Sequence, residues 1–103
     1  MSEINKQLSD AIVADARLAI LRELANQVDG RLSEQLLKRV LDIFGIRRDR
    51  DWIRTQLRKL DMLGAVELKS VGEMLVAQIT RAGRDHVEER AVIEGVTRPA
   101  DAD

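Results

Sequence analysis

Apolar positions keep a helical rhythm up to residue 64 and an alternating one just after it. That change of period predicts helices first and a β-hairpin near the end. Residues 2–28 read as one long helix. Ile4, Leu8 and Ile12 recur every fourth position and continue into Ala16, Ala19 and Ile20, while Leu18, Leu21, Ala25 and Val28 form a second stripe. Two stripes give more apolar surface than a single contact face requires. Either Ser2 or Ser9 is placed to cap this helix, and Asp29-Gly30 stops it. Ser33 then caps a second helix in which Leu36, Leu37, Val40, Leu41 and Phe44 mark a one-sided core face. Gly45 ends it, Ile46-Arg47-Arg48 forms a short turn, and Asp49 caps a third helix over about 50–63. At about 100° per residue, Ile53, Leu57 and Leu60 share the core face of that helix with Leu63 at its edge.

Past Gly64 the stretch Ala65–Lys69 alternates, Ser70–Glu73 reads as a four-residue turn, and Met74–Thr80 is β-like. Thr80 caps a last helix from Arg81 to about Arg90. The expected fold class is mainly α with a small β-hairpin, in the order H1-H2-H3-hairpin-H4. Residues 1–92 form the domain, and 93–103, with the lone proline Pro99 and several small or acidic residues, a mobile tail.

Composition narrows the classes of function. The 103 residues suit one small domain, and with Trp52 and Phe44 the only aromatics its core must be aliphatic. The absence of cysteine removes disulfides, thiolate catalysis and cysteine-based zinc sites. No apolar run is long enough to span a membrane, and MSEINKQLSD lacks the basic-then-apolar pattern of a secretion signal. A cytoplasmic protein is expected. His86 is the only histidine, so no metal site is expected, and a surface or partly packed ring is the simpler reading. The carboxylate pairs Asp49/Asp51, Asp10/Asp15 and Glu88/Glu89 lack an accompanying nucleophile, base and anion-stabilising group. No glycine-rich phosphate loop occurs. Neither catalysis nor a cofactor is expected.

Charge singles out the third helix. Between residues 47 and 59 stand six basic residues (Arg47, Arg48, Arg50, Arg54, Arg58, Lys59) and two acids (Asp49, Asp51), a local balance of +4 in a chain of net −1. A cationic helix in an acidic remainder suits a phosphate-contacting element, and it also suits an ordinary solvated face. Arg54, Thr55, Arg58 and Asp51 lie opposite the core face. Asp51 either accepts from a cytosine amino group or simply faces the helix dipole, and the dipole is favoured. Trp52, beside Leu63, is expected to pack against the hairpin or the first helix.

In this order and spacing, Ser33-x-x-Leu36-Leu37, the run of Leu57, Leu60, Gly64 and Val66, the Gly72 turn and Ile79-Thr80-Arg81-Ala82-Gly83 resemble the winged-helix family of small prokaryotic regulators over roughly residues 16–87. The chain's size, its extended first helix and Gly95-Val96-Thr97-Arg98-Pro99 look like the small winged-helix proteins of Mu-like prophages. The resemblance implies a winged helix-turn-helix that binds double-stranded DNA and regulates transcription, with helix 50–63 in the major groove and the hairpin beside the backbone. Arg54, Thr55 and Arg58 would then face bases, and Arg47, Arg48, Arg50, Lys59 and Lys69 phosphates.

The surplus stripe Ile4, Leu8, Ile12 and Ala19 either folds back on its own domain or pairs two copies, and a homodimer is expected. The competing expectation is a protein-interaction module on the same scaffold, with a phage or host protein as partner. The acidic remainder and the scarcity of bases at the hairpin, where Glu73 sits on the turn, favour that rival.

Overall fold

The computed structural model describes residues 2–102. Helix α1 (Ser2–Asn26) is followed by strand β1 (Arg31–Ser33), helices α2 (Glu34–Ile43) and α3 (Arg50–Met62), strands β2 (Val66–Val71) and β3 (Met74–Ile79), and helices α4 (Arg81–Val87) and α5 (Pro99–Ala102). Among the described residues five helices accompany one antiparallel sheet of order β1-β3-β2. The helix-turn-helix-hairpin order is compatible with a winged-helix arrangement. Among the described residues no helix is long and apolar enough to cross a membrane.

Capping fixes where the helices start. The Ser33 hydroxyl accepts from Leu36 N–H, and an Asp49 carboxylate oxygen accepts from Trp52 N–H. Each satisfies an amide that has no partner within its own helix. The Thr80 hydroxyl accepts from Gly83 N–H and donates to the Gly64 carbonyl, so one side chain starts α4 and ties it to the end of α3. Gly83 allows that approach: a Cβ there would stand 2.4 Å from the Ala65 carbonyl oxygen. Helix α1 runs through Ser9 without a break, so Ser9 is no cap, and the residue before Ser2 lies outside the described residues.

The core joins Leu21 and Leu24 of α1, Leu37 and Leu41 of α2, Ile53, Leu57 and Leu60 of α3, and Ala77 and Ile79 of β3. The apolar face expected for α3 is buried, with Leu63 at its margin. The face expected for α2 is only half covered: Leu37 and Leu41 are sealed, while Leu36 and Phe44 remain exposed. Phe44 stands just past the last turn of α2, as its C-cap, and lines a groove beside α1.

The hairpin is tighter than the sequence suggests. Val71 pairs with Met74, leaving only Gly72 and Glu73 as the loop. Gly72 takes φ 62°, suited to a two-residue turn with glycine first. The unexpected strand β1 pairs with β3 through Arg31↔Gln78 and Ser33↔Val76. Three residues are too few to show an alternation. Helix α4 ends at Val87 rather than near Arg90, where Glu89 takes φ 62° and breaks the helical path.

The division at residue 92 does not survive, since the segment expected as a mobile tail packs on the domain. Val96 joins the same core and Pro99 is buried. Thr97 N–H donates to the Ala14 carbonyl, and its hydroxyl donates to Asp15. His86 secures the same segment from below. It is fully buried, not a surface ring. Nδ1 accepts from Ile93 N–H, which leaves Nε2–H to donate to the Thr97 carbonyl at 2.9 Å. A neutral ring of that tautomer satisfies both bonds.

Candidate nucleic-acid interface

Helix α3 has three sides. One carries Ile53, Leu57 and Leu60 into the core, with Gln56, also buried, accepting from Arg17 Nε–H at 2.9 Å. The second, turned to solvent, carries Asp51, Thr55, Arg58, Lys59 and Met62. The third flank carries Arg50 and Arg54 toward the hairpin tip.

That third flank is closed by Glu34, the first residue of α2, whose carboxylate is only 3% exposed. Arg54 forks onto it, Nε to Oε1 at 2.8 Å and Nη2 to Oε2 at 2.9 Å. Arg50 Nε adds a third bond to Oε1 at 2.8 Å. Leu75 N–H of β3 donates to Oε2, and both arginines donate onward to the Glu73 carbonyl. One buried carboxylate thus joins α2, α3 and the hairpin. The fork from Arg54 is the main cause that holds the Glu34 carboxyl at about 2, well below its ordinary 4.5. The Leu75 amide and Arg50 add to that lowering, while burial opposes it.

The sequence-selected basic residues therefore separate into groups. Arg50 and Arg54, expected to point outward, are turned against Glu34, because a buried carboxylate needs them more than solvent does. Arg58 and Lys59 are exposed and have no ion-pair partner among the described residues. Thr55 is exposed, with its hydroxyl donating to the Asp51 carbonyl one turn back. In the turn before α3, Arg47 is exposed, and Arg48 lies 5.5 Å over the ring of Trp52 and donates to the Arg47 carbonyl. Trp52 is half-buried and packs against the core.

Lys69 stands apart. Strand alternation puts Ser70 and Leu75 on the sheet face toward α3, and Lys69 and Val76 on the other. There Lys69 shares a shallow hollow with Arg31, Glu67 and Gln78. A polar cleft of about 470 Å³ lies between α3 and the hairpin, where Arg58 and Asp51 meet Ser70 and Gly72.

The stripe assigned to pairing is split between two settings. Ile4 is 68% exposed and Leu8 58%, on a stretch of α1 where every residue from Ser2 to Ala11 is exposed. Ile12 and Ala19 are half-buried and line a groove of about 520 Å³ with Leu18, Phe44, Ile46 and Ala102.

Sequence reasoning missed Glu34, Gln56 and the buried state of His86. An acid in the first turn of a helix, as Glu34 is, suits the helix dipole and so points to no distant partner. The available signal was weak: Arg50 and Arg54 lie one turn apart on the flank of an amphipathic helix, and Asp51 beside Arg54 offered a local partner that hid the distant one.

No protein-family model matches the chain, and no solved structure does either. Among curated proteins it is similar to gp26 of Escherichia phage Mu, an uncharacterized protein, at 33% identity over 92 residues, covering 89% of this chain and 95% of gp26. The association with phages read from the sequence is met by that similarity. With this identity sustained over nearly the whole of both chains, the protein belongs to the family of phage Mu gp26.

Proposed function

We propose that this is a winged helix-turn-helix protein that binds double-stranded DNA, a phage regulator of transcription in which α3 enters the major groove. The solvent face of α3 carries the reading. Among the described residues no other element covers it, and its cations Arg58 and Lys59 have no ion-pair partner. Arg47 and Arg48 lie at the start of the same helix, where free amides also favour phosphate. Thr55 and Arg58 are the groups proposed to reach bases, and Arg47, Arg48 and Lys59 those that meet the backbone. Arg54 and Arg50 take a different part from the one the sequence suggested. Held by Glu34, they fix the hairpin against α3 and so set the width of the cleft beside Arg58. Lys69, on the far sheet face, is a minor phosphate contact in this reading.

A second reading, a protein-interaction module for a phage or host protein, draws on the same face. Asp51 stands among its cations, and Met62 is 79% exposed there. A carboxylate and a bare thioether chain suit a protein partner better than a phosphate backbone.

Fluorescence anisotropy with mixed-sequence duplex DNA at low salt separates the two. The DNA reading expects affinity in the micromolar range or better that falls steeply with salt, as a non-specific phosphate term does. Arg58→Ala and Lys59→Ala each weaken it, and Lys59→Ala, which loses a phosphate contact, also lowers the salt slope by about 1. Absence of binding near micromolar at low salt removes the DNA reading and leaves the protein module.

A further inference from the structure

We propose that Trp52 is a positioning residue for a phosphate contact: its ring holds the Arg48 guanidinium at the start of α3, where it meets the backbone of a duplex. This role rests on the DNA reading of α3 and singles out a cation that is in place before DNA arrives.

The local geometry follows from the cap. Asp49, the N-cap of α3, has an extended backbone at φ −79° and ψ 173°. One of its carboxylate oxygens accepts from Trp52 N–H at 2.9 Å. A residue just before a cap commonly packs on the first turn of its helix. Here that residue is Arg48, and Trp52 is what it meets. The guanidinium carbon lies 5.5 Å from the ring centroid. That is within the roughly 6 Å over which an aromatic face attracts a cation. Nη1 also donates to the Arg47 carbonyl at 3.2 Å, a second hold on the same group. The core is aliphatic and Trp52 is only half-buried against it, so ring surface is left for Arg48.

Neither hold cancels the charge of Arg48. The nearest acid in sequence, Asp49, has turned to the Trp52 amide, and Arg48 makes no ion pair among the described residues. A guanidinium carries five N–H donors, and the Arg47 carbonyl takes one of them. The other cations of this surface divide what Arg48 combines. Arg50 and Arg54 are ordered, but by the carboxylate of Glu34, which neutralises them. Arg58 and Lys59 keep their charge but have no ion-pair partner among the described residues to order them. Arg48 is held by a ring and stays charged. A side chain ordered beforehand loses less freedom when it meets a phosphate, so more of its attraction appears as affinity.

A double-mutant cycle read by anisotropy on mixed-sequence duplex DNA tests this role, with circular dichroism to show that each variant is folded. Trp52→Leu is expected to weaken binding by about threefold to tenfold, the cost of ordering one long side chain on binding. Its salt slope stays unchanged, because Arg48 keeps its charge. Trp52→Phe keeps a ring under the guanidinium and restores most of the affinity. Arg48→Ala lowers the slope by about 1, and in that background Trp52→Leu changes the affinity no further. Arg48→Lys leaves the core untouched; it keeps the slope and binds more weakly, since lysine lacks the planar group that lies on the ring. A Trp52→Leu loss of equal size with and without Arg48, or equal affinity of the arginine and lysine forms, overturns the role of Trp52 while the DNA reading stands. A wild-type chain that fails to bind the duplex at low salt overturns the DNA reading, and this role with it.

Discussion

Replacing Glu34 by glutamine removes one negative charge from a site that holds two arginines, and its effect on stability has a magnitude and a pH signature. The Glu34 carboxyl is held at about 2 against an ordinary 4.5. That difference corresponds to about 3 kcal/mol at 1.36 kcal/mol per unit, an upper figure because Arg50 is half exposed and its share is screened. Breaking one side of a buried ion pair costs about 3–5 kcal/mol, which agrees. Glutamine keeps an oxygen for Leu75 N–H but turns the rest of its amide toward guanidinium groups that can only donate. Glu34→Gln is therefore expected to lose about 2–3 kcal/mol at pH 7, a large part of the roughly 5–15 kcal/mol available to a domain of this size.

The sign with pH follows from a lowered folded-state value. The stabilisation is complete above about 4.5, declines as pH falls below it, and is gone near 2. Urea unfolding followed at 222 nm is the assay, run on both proteins from pH 7 down to pH 3. The gap between them should shrink from about 2–3 kcal/mol at pH 7 to about 1 kcal/mol or less at pH 3. A gap below about 0.5 kcal/mol at pH 7, or one that stays constant down to pH 3, would refute the assignment of Glu34 as the charge that closes the hairpin.

Other expectations are simpler to state. Gly83→Ala forces a methyl group to within 2.4 Å of the Ala65 carbonyl, an oxygen that also accepts from Thr80 N–H. It should cost about 1–3 kcal/mol in chemical denaturation, typical of overpacking. His86→Leu leaves Ile93 N–H and the Thr97 carbonyl without their ring partner. A loss of about 2 kcal/mol is expected, with faster amide exchange at Ile93 while α3 amides keep their protection. In the anisotropy assay, Lys69→Ala should weaken duplex binding less than Arg58→Ala, because Lys69 lies on the sheet face turned from α3.

What could be read from the chain was what depends on neighbours in sequence. Ser33, Asp49 and Thr80 each cap the helix expected of them, because a cap is settled within three residues. The buried face of α3 was legible for the same reason, since Ile53, Leu57 and Leu60 repeat with the helix period. What escaped was decided by partners distant along the chain. Strand β1 exists because β3 offers it an edge, and the segment around Val96 is ordered because α1 and His86 receive it. Phe44 is exposed because α2 ends one residue before it, and the apolar period does not mark that end.

Glu34 shows why charge counting along the chain misjudged the candidate surface. The count of +4 over residues 47–59 treats every arginine there as free. An acid 16 residues before Arg50 and 20 before Arg54 claims both. What remains for a partner is the part of the cluster that Glu34 cannot reach: Arg47 and Arg48 before the helix, and Arg58 and Lys59 just over one turn beyond Arg54. A surface with fewer free cations, adjoining a hairpin locked in place, gains less from overall attraction and more from the position of each remaining charge. The salt slope of any duplex binding should therefore correspond to about four phosphates or fewer rather than six. A slope matching all six would show that Arg50 and Arg54 leave Glu34 when DNA arrives, and that the ion-pair cluster yields to the duplex instead of framing it.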